Sequence, residues 1–196
     1  MQSKTLVRMM AGAVLVAGLG TARAEDAAAV DAYAIDPGHS SIAFKVAHLV
    51  ISKVRGEFGD YTGALSVEGG KVVSAEATMK AASISTGSSD RDNHLKSADF
   101  FDVAQFPEIT FRSTAITADG ITGDLTIHGV TKSVTLAYTV SGPVLDPWGS
   151  TKLGFAASGK INRQDFGLTW SKALETGGLV VGDEIELVIE AEFAKK

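Results

Sequence analysis

EITFRSTAITADGITGDLTIHGVTKSVTLAY, residues 108–138, alternates apolar and polar side chains through three successive runs. Ile109 and Phe111 fall opposite Thr110, Arg112 and Thr114; Ile121, Leu125 and Ile127 fall opposite Thr122, Asp124 and Thr126; Val134, Leu136 and Tyr138 fall opposite Ser133 and Thr135. A period of two places successive side chains on opposite faces of a strand. Asp119-Gly120 and His128-Gly129 separate the runs, and glycine supplies the positive φ of tight hairpin turns. The stretch therefore predicts three consecutive antiparallel strands with one apolar face.

The same rhythm extends in both directions. Along SIAFKVAHL (41–49), Ile42, Phe44 and Val46 share a face, and near the C-terminus Ile185, Leu187 and Ile189 oppose Glu184, Glu186 and Glu190. Gly69-Gly70 marks a further hairpin. Some eight to nine strands are expected, with no long helical period between them, which disfavours a parallel βαβ sheet. Such a sheet buries its apolar face by closing into a barrel or folding into a sandwich, and hairpin-to-hairpin order favours the barrel. An eight-stranded barrel is either filled by its own side chains or holds one small ligand; alternation leaves both open.

Two segments interrupt the pattern. In SSDRDNHLKSADFFD (88–102), Ser89 with Asp92 three residues on resembles a capping box. It predicts a short helix over Asp90–Ala98, then an extended return over 99–107 ending at Pro107. The second interruption, 142–183, carries Pro143, Pro147 and Trp148, then INRQDFGLTW (161–170) and Gly177-Gly178.

Residues 1–24 read differently. Lys4 and Arg8 precede the uncharged run MMAGAVLVAGLG (9–20), and Ala22-Arg23-Ala24 supplies small residues at cleavage spacing, the pattern of a secretory signal cut after Ala24. The run falls short of the roughly 20 residues that span a bilayer as a helix. Without this segment, 15 basic residues face 23 acidic ones, a net charge of −8. So acidic a chain has no electrostatic footprint for nucleic acid and gains nothing from anionic lipid. The absence of cysteine removes thiolate chemistry and disulfides, so stability must come from the core of one domain of about 170 residues. Residues 25–32 read as a linker and 33–196 as that domain.

The reactive residue types form no convincing site. His94, Asp92 and a nearby serine lack the G-x-S-x-G elbow of a hydrolase. The four histidines, His39, His48, His94 and His128, come from four different elements without metal-ligand spacing. Glu184, Glu186, Glu190 and Glu192 read as a solvated strand face rather than a glycosidase pair, and no nucleotide-binding glycine motif is present. No catalytic residue, metal or cofactor is expected. The scattered aromatics, Phe44, Phe58, Phe101, Phe106, Phe111, Phe155, Phe166 and Trp170, are either plain core or the lining of an apolar pocket.

HSSIAFKVAHLVISKVRGEF (39–58), RDNHLKSADFFDVAQFPEITFRST (91–114), GDLTIHGVTKSVTL (123–136), INRQDFGLTW (161–170) and VGDEIEL (181–187) together resemble the YceI family. The resemblance covers the chain from about Tyr33 to its end. It implies an extended, lipocalin-like, eight-stranded antiparallel barrel, usually periplasmic, that encloses a polyisoprenoid, an isoprenoid quinone or a fatty amide. It also implies frequent homodimers, association with membrane b-type cytochromes, and no established catalytic reaction. The matching positions are Arg91, Asp92, His94, Leu95, Phe100 and Phe101 in the first insert and Asn162, Arg163, Asp165, Phe166 and Trp170 in the second.

A dry tunnel is expected on that footing. Its lining would be Ile42, Phe44 and Val46, then Met79, Phe101, Phe106 and Phe111, then Leu125 and Ile127, then Phe155, Phe166 and Trp170. Arg91, His94, Asn162 and Arg163 would stand at the mouth and meet a polar head group. Two other readings are an esterase or isomerase acting on a bound lipid, and a filled barrel serving as a docking scaffold.

Overall fold

The computed structural model describes residues 29–173 and 177–196; residues 1–24, expected as a secretory signal, and the first part of the expected linker lie outside them. The strands run in order β1 Val30–His48, β2 Ser52–Phe58, β3 Tyr61–Glu68, β4 Lys71–Lys80, β5 Ile84–Ser85, β6 Glu108–Thr117, β7 Gly120–Ile127, β8 Val130–Leu145, β9 Thr151–Asn162 and β10 Val181–Lys195, with helix α1, Ser89–Lys96, between β5 and β6. Eight of the ten strands close an antiparallel ring in the order β1, β10, β9, β8, β7, β6, β4, β3 and back to β1. From β6 onward each strand lies beside its sequence neighbour, as short hairpins require.

The two remaining strands exist because β1 is long. Its start, Val30–Ala34, pairs with β3, and its later half, Ile42–His48, pairs with β2, which carries β5 on its far edge. Val30–Ala32, expected in the linker, belong to the sheet because they complete the ladder opposite Ser66–Glu68. The 15 residues of β10 span about 50 Å at 3.4 Å per residue, so the barrel is elongated.

The turns are only partly those expected. Gly69-Gly70 and His128-Gly129 take positive φ, with His128 at 51° and Gly129 at 73°. At the β6–β7 hairpin, however, the turn residues are Ala118 and Asp119, and Gly120 already lies in the strand without positive φ. A β-carbon there would meet the Leu136 carbonyl oxygen at 2.9 Å; this glycine serves a close approach of backbones, not a turn. The β1–β2 turn places Leu49 and Val50 at φ of 54° and 65°, a conformation uncommon for any residue but glycine and rarest for β-branched ones such as Val50.

The insert after β5 also departs from expectation. The helix ends at Lys96, where Ser97 closes it with its backbone N–H and its hydroxyl, both donating to the His94 carbonyl. No capping box forms: Ser88 is the N-cap and makes no side-chain cap bond. Asp92 instead turns back and accepts from the Thr86 backbone N–H at 2.9 Å and the Thr86 hydroxyl at 2.5 Å. Residues 99–106 are not extended. Successive local bonds, including Phe101 N–H to Leu95 O and Asp102 N–H to Ser97 O, fold them into compact turns that deliver Phe100 and Phe101 to the barrel interior.

Inward residues form two apolar clusters. The lower one gathers Tyr33, Leu65, Ile121, Leu136, Phe155 and Phe193, at the end holding the Gly69-Gly70 turn. The upper one gathers Ile42, Phe58, Met79, Ile109, Leu125 and Phe166, toward the end closed by α1 and the 3-10 turn Arg163–Phe166.

The outer face of β10 is not merely solvated. Glu184 pairs with Lys160 on β9 at 2.9 Å, Glu186 with Lys53 at 2.5 Å, and Glu192 with Lys152 at 3.0 Å. Lys152 also reaches Asp36 at 3.1 Å, so its ammonium stands between the carboxylates of the Asp36–His39–Glu192 cluster. The Lys152 hydrogen bond, with a smaller one from His39, holds the Asp36 carboxyl below its ordinary value. Glu192 first, and Asp36 second, hold the Lys152 ammonium above its own. A carboxyl with a lowered folded-state pKa adds stability above its unfolded value and loses it as pH falls through the folded one. The raised lysine contributes at lower pH and loses its contribution as pH climbs through its raised value. Lys152→Met should therefore return the Asp36 titration upward toward the ordinary carboxylate range and flatten the acid limb of stability against pH. Carboxyl NMR titration checks this; an Asp36 midpoint that stays put would assign the shift to something other than Lys152.

Candidate functional site

Inward-facing side chains of the ring leave a void along its axis. The cavity measures about 200 Å³ and touches both clusters, from Phe193, Phe155 and Leu65 below to Leu95, Phe100 and Leu168 above. Close-packed interiors hold few voids larger than one water, so a continuous space of this size is a built feature. Its walls are apolar side chains and glycine, with Glu76 and Arg163 the only ionisable residues among them. Glu76 pairs through its carboxylate with Arg112 at 3.2 Å, and both side chains are largely exposed. A cavity with apolar walls stays dry, and one of about 150 Å³ suffices for benzene. A longer chain fits here only as side chains move aside.

Nine of the twelve expected lining residues reach this void: Ile42, Phe44, Val46, Met79, Phe101, Phe111, Leu125, Ile127 and Phe155. Three do not. Phe106 packs over the β7–β8 turn, its ring 4.5 Å from that of His128, and a β-carbon on Gly129 would meet it at 2.5 Å. Phe166 is 1 % exposed and plugs the upper cluster from beneath its own 3-10 turn. Trp170 lies edge-on to His94 at 4.9 Å and against Phe100 at 5.2 Å, behind the lining rather than in it. Lining residues not anticipated include Val134, Leu136, Ile185, Leu187 and Ile189. All five sit in runs of legible alternation, but nothing in an aliphatic side chain's identity separates a cavity lining from a filled core.

The four expected mouth groups are engaged elsewhere. Arg91 donates from Nε to the Thr86 hydroxyl at 2.7 Å and from Nη2 to the Thr86 carbonyl at 2.8 Å. Together with Asp92 it ties the start of α1 to Thr86, the residue that follows β5, which an eight-residue helix with no buried residue needs. His94 meets Asp99 through Nε2 at 2.9 Å, and its ring packs on Phe100 and Trp170. The Asn162 side chain accepts from the Gln164 N–H at 2.9 Å and caps the 3-10 turn.

Arg163 alone of the four borders the void, and its guanidinium is fully committed. Nε donates to the Gly182 carbonyl at 2.9 Å. Nη1 donates to the carbonyls of Leu168 and Trp170, and Nη2 to the Val181 carbonyl and the Asp183 carboxylate. Five donors fixed in one plane thus hold the loop after β9 to the start of β10. The polar residues of both inserts are closure chemistry, and they leave the lining without a free charged group among the described residues.

Comparison with known proteins bears on the same geometry. The family model described as a YceI-like domain matches residues 33–193. A "UPF0312 protein" of Staphylococcus aureus is 38% identical over 167 residues, covering 83% of this chain and 96% of the relative. Among solved structures, a YCEI protein of Campylobacter jejuni is 34% identical with a TM-score of 0.65, covering 76% of this chain and 90% of that one. Burkholderia cenocepacia BcnA shares the fold at a TM-score of 0.70 and 23% identity, over 81% of this chain and 98% of that one. A domain of Saccharophagus degradans described as polyisoprenoid-binding shares it at a TM-score of 0.65 and 15% identity, over 84% of this chain and 98% of that one.

Proposed function

This chain belongs to the YceI-like family, and from that premise we propose that it is an exported carrier that shelters the tail of a long-chain amphiphile in its barrel. A polyisoprenoid, an isoprenoid quinone or a fatty amide has the required chemistry. The observation that carries this reading is the continuous apolar void through both core clusters. The polyisoprenoid-binding description of the Saccharophagus degradans domain agrees with it.

Magnitudes favour carriage over storage. Each methylene withdrawn from water contributes about 0.8 kcal/mol, so two or three isoprene units amount to roughly 8–12 kcal/mol against water. A membrane offers the tail the same shelter, so exchange between bilayer and barrel runs near balance. Transfer in either direction is then open, as a carrier needs. Among the described residues the lining holds no nucleophile and no unpaired general base, which supports binding rather than turnover.

Organic extraction of the purified chain followed by mass spectrometry tests the proposal. A lipid bearing a long hydrocarbon tail should be recovered near one equivalent per chain. Extracts free of any such molecule, together with no uptake from vesicles containing polyprenol, would leave a docking scaffold as the better account.

A further inference from the structure

The carrier reading leaves open how the bore measures a tail. Phe111 of β6 packs against both clusters, and so do Ile35, Leu187 and Ile189 from β1 and β10. These four residues lie at the waist of the bore, the level where the upper cluster meets the lower. Around the ring, β7 lies four strands from β1 by either path, so the wall behind Phe111 faces β1 across the bore.

That wall has a notch. Phe111 is in register with Leu125, and its ring extends diagonally onto Gly123, the next inward position of β7. A β-carbon on Gly123 would meet Phe111 Cζ at 2.5 Å and Cε2 at 2.7 Å, closer than van der Waals contact permits. The ring therefore occupies the space that a side chain at position 123 would take, and it lies against the wall instead of across the axis.

We propose that Phe111 and Gly123 form a calibre gate that sets the tail length the bore accepts. With the ring in its notch the space beside both clusters is one cavity, and an isoprenoid tail extends past the waist as the other lining side chains move aside. With the ring displaced, the tail is confined to the space beside one cluster. The inference rests on the carrier reading and adds to it a length threshold and the pair of residues that fixes it.

Gly123 also admits the Arg112 carbonyl, whose oxygen would lie 2.5 Å from a β-carbon there, beside the bulge at Ser113/Ala115. Gly123→Ala thus disturbs backbone as well as ring, and Phe111→Trp isolates the ring: an indole is too large for the notch and must enter the bore. Phe111→Ala empties the waist. The delipidated mature chain and its three variants are titrated with geraniol, farnesol and geranylgeraniol, and folding is verified by circular dichroism.

Wild-type affinity should rise with each added isoprene unit. In Phe111→Trp the rise should stop short, with geranylgeraniol weakened on the order of tenfold or more, the equivalent of about two methylenes denied burial, and geraniol nearly unchanged. Gly123→Ala should reproduce this wherever it folds, while Phe111→Ala keeps the full rise. A uniform loss across the three alcohols in Phe111→Trp, or no change in it, overturns the gate and leaves the carrier reading standing. Failure of the wild type to bind any of the three overturns the carrier reading for isoprenoid tails, and the gate with it.

Discussion

Replacing Arg163 by leucine should lower the stability of the fold by about 3–5 kcal/mol, the range for removing one partner of a buried charge network. The guanidinium is 3 % exposed, and it satisfies four backbone carbonyls and the Asp183 carboxylate. A buried ion pair can often be exchanged for apolar residues at little cost when both partners are replaced. Here the partners are chiefly carbonyls of Leu168, Trp170, Val181 and Gly182, which no substitution can remove. The Leu168 carbonyl, whose bond is buried, costs about 1–3 kcal/mol when left without a donor, and the part-buried carbonyls of Gly182, Trp170 and Val181 add less each. The Asp183 carboxylate, 34% exposed, turns to water and adds less. Arg163→Lys should recover only part of the loss, because an ammonium supplies three donors from one point instead of a planar fork. Urea denaturation reads both variants, and a leucine variant within about 1 kcal/mol of the wild type would mean that water enters and replaces the guanidinium.

Sequence periodicity carried the fold a long way because one buried face forces strict alternation. Ile109, Phe111, Ile121, Leu125 and Ile127 stand where that rule puts them. The rule breaks just beyond Thr114, where a bulge between Ser113 and Ala115 shifts the register, leaving Ala115 exposed and Ile116 against the core, and the Ser113 hydroxyl accepts from the Ala75 N–H at 2.9 Å. Such a bulge answers to the neighbouring strand, so nothing within 108–117 foretells it. The mouth groups were illegible for a different reason. An arginine that will meet a ligand head and one that will staple carbonyls are the same letter. The partners of Arg163 lie 5 to 20 residues away and are mostly backbone, which carries no sequence signal. Phe106, Phe166 and Trp170 show the same limit for aromatics: bulk predicts burial, and only the turns of the inserts decide whether a ring lines the bore or lies behind it.

Phe111→Asp should reduce lipid retention by about a hundredfold or more. Dryness of the waist alone is enough for an effect of this size. Phe111 borders the void between the two clusters, and withdrawing an ionised carboxylate from water without a partner is so unfavourable that the site either draws water in or holds the acid protonated. Either response ends the apolar lining where a tail must pass. A loss of about 3 kcal/mol corresponds to roughly two orders of magnitude in affinity, fewer than four methylenes' worth of burial. Thr110→Asp separates this from a general effect of added charge, because it introduces the same carboxylate one residue earlier, on the outer face of β6. Retention by the Thr110 variant should match the wild type. Both are read by extraction and mass spectrometry, with folded-state circular dichroism as the check on structure. A folded Phe111→Asp chain that still holds its lipid would place the tail elsewhere and take Phe111 out of the binding path.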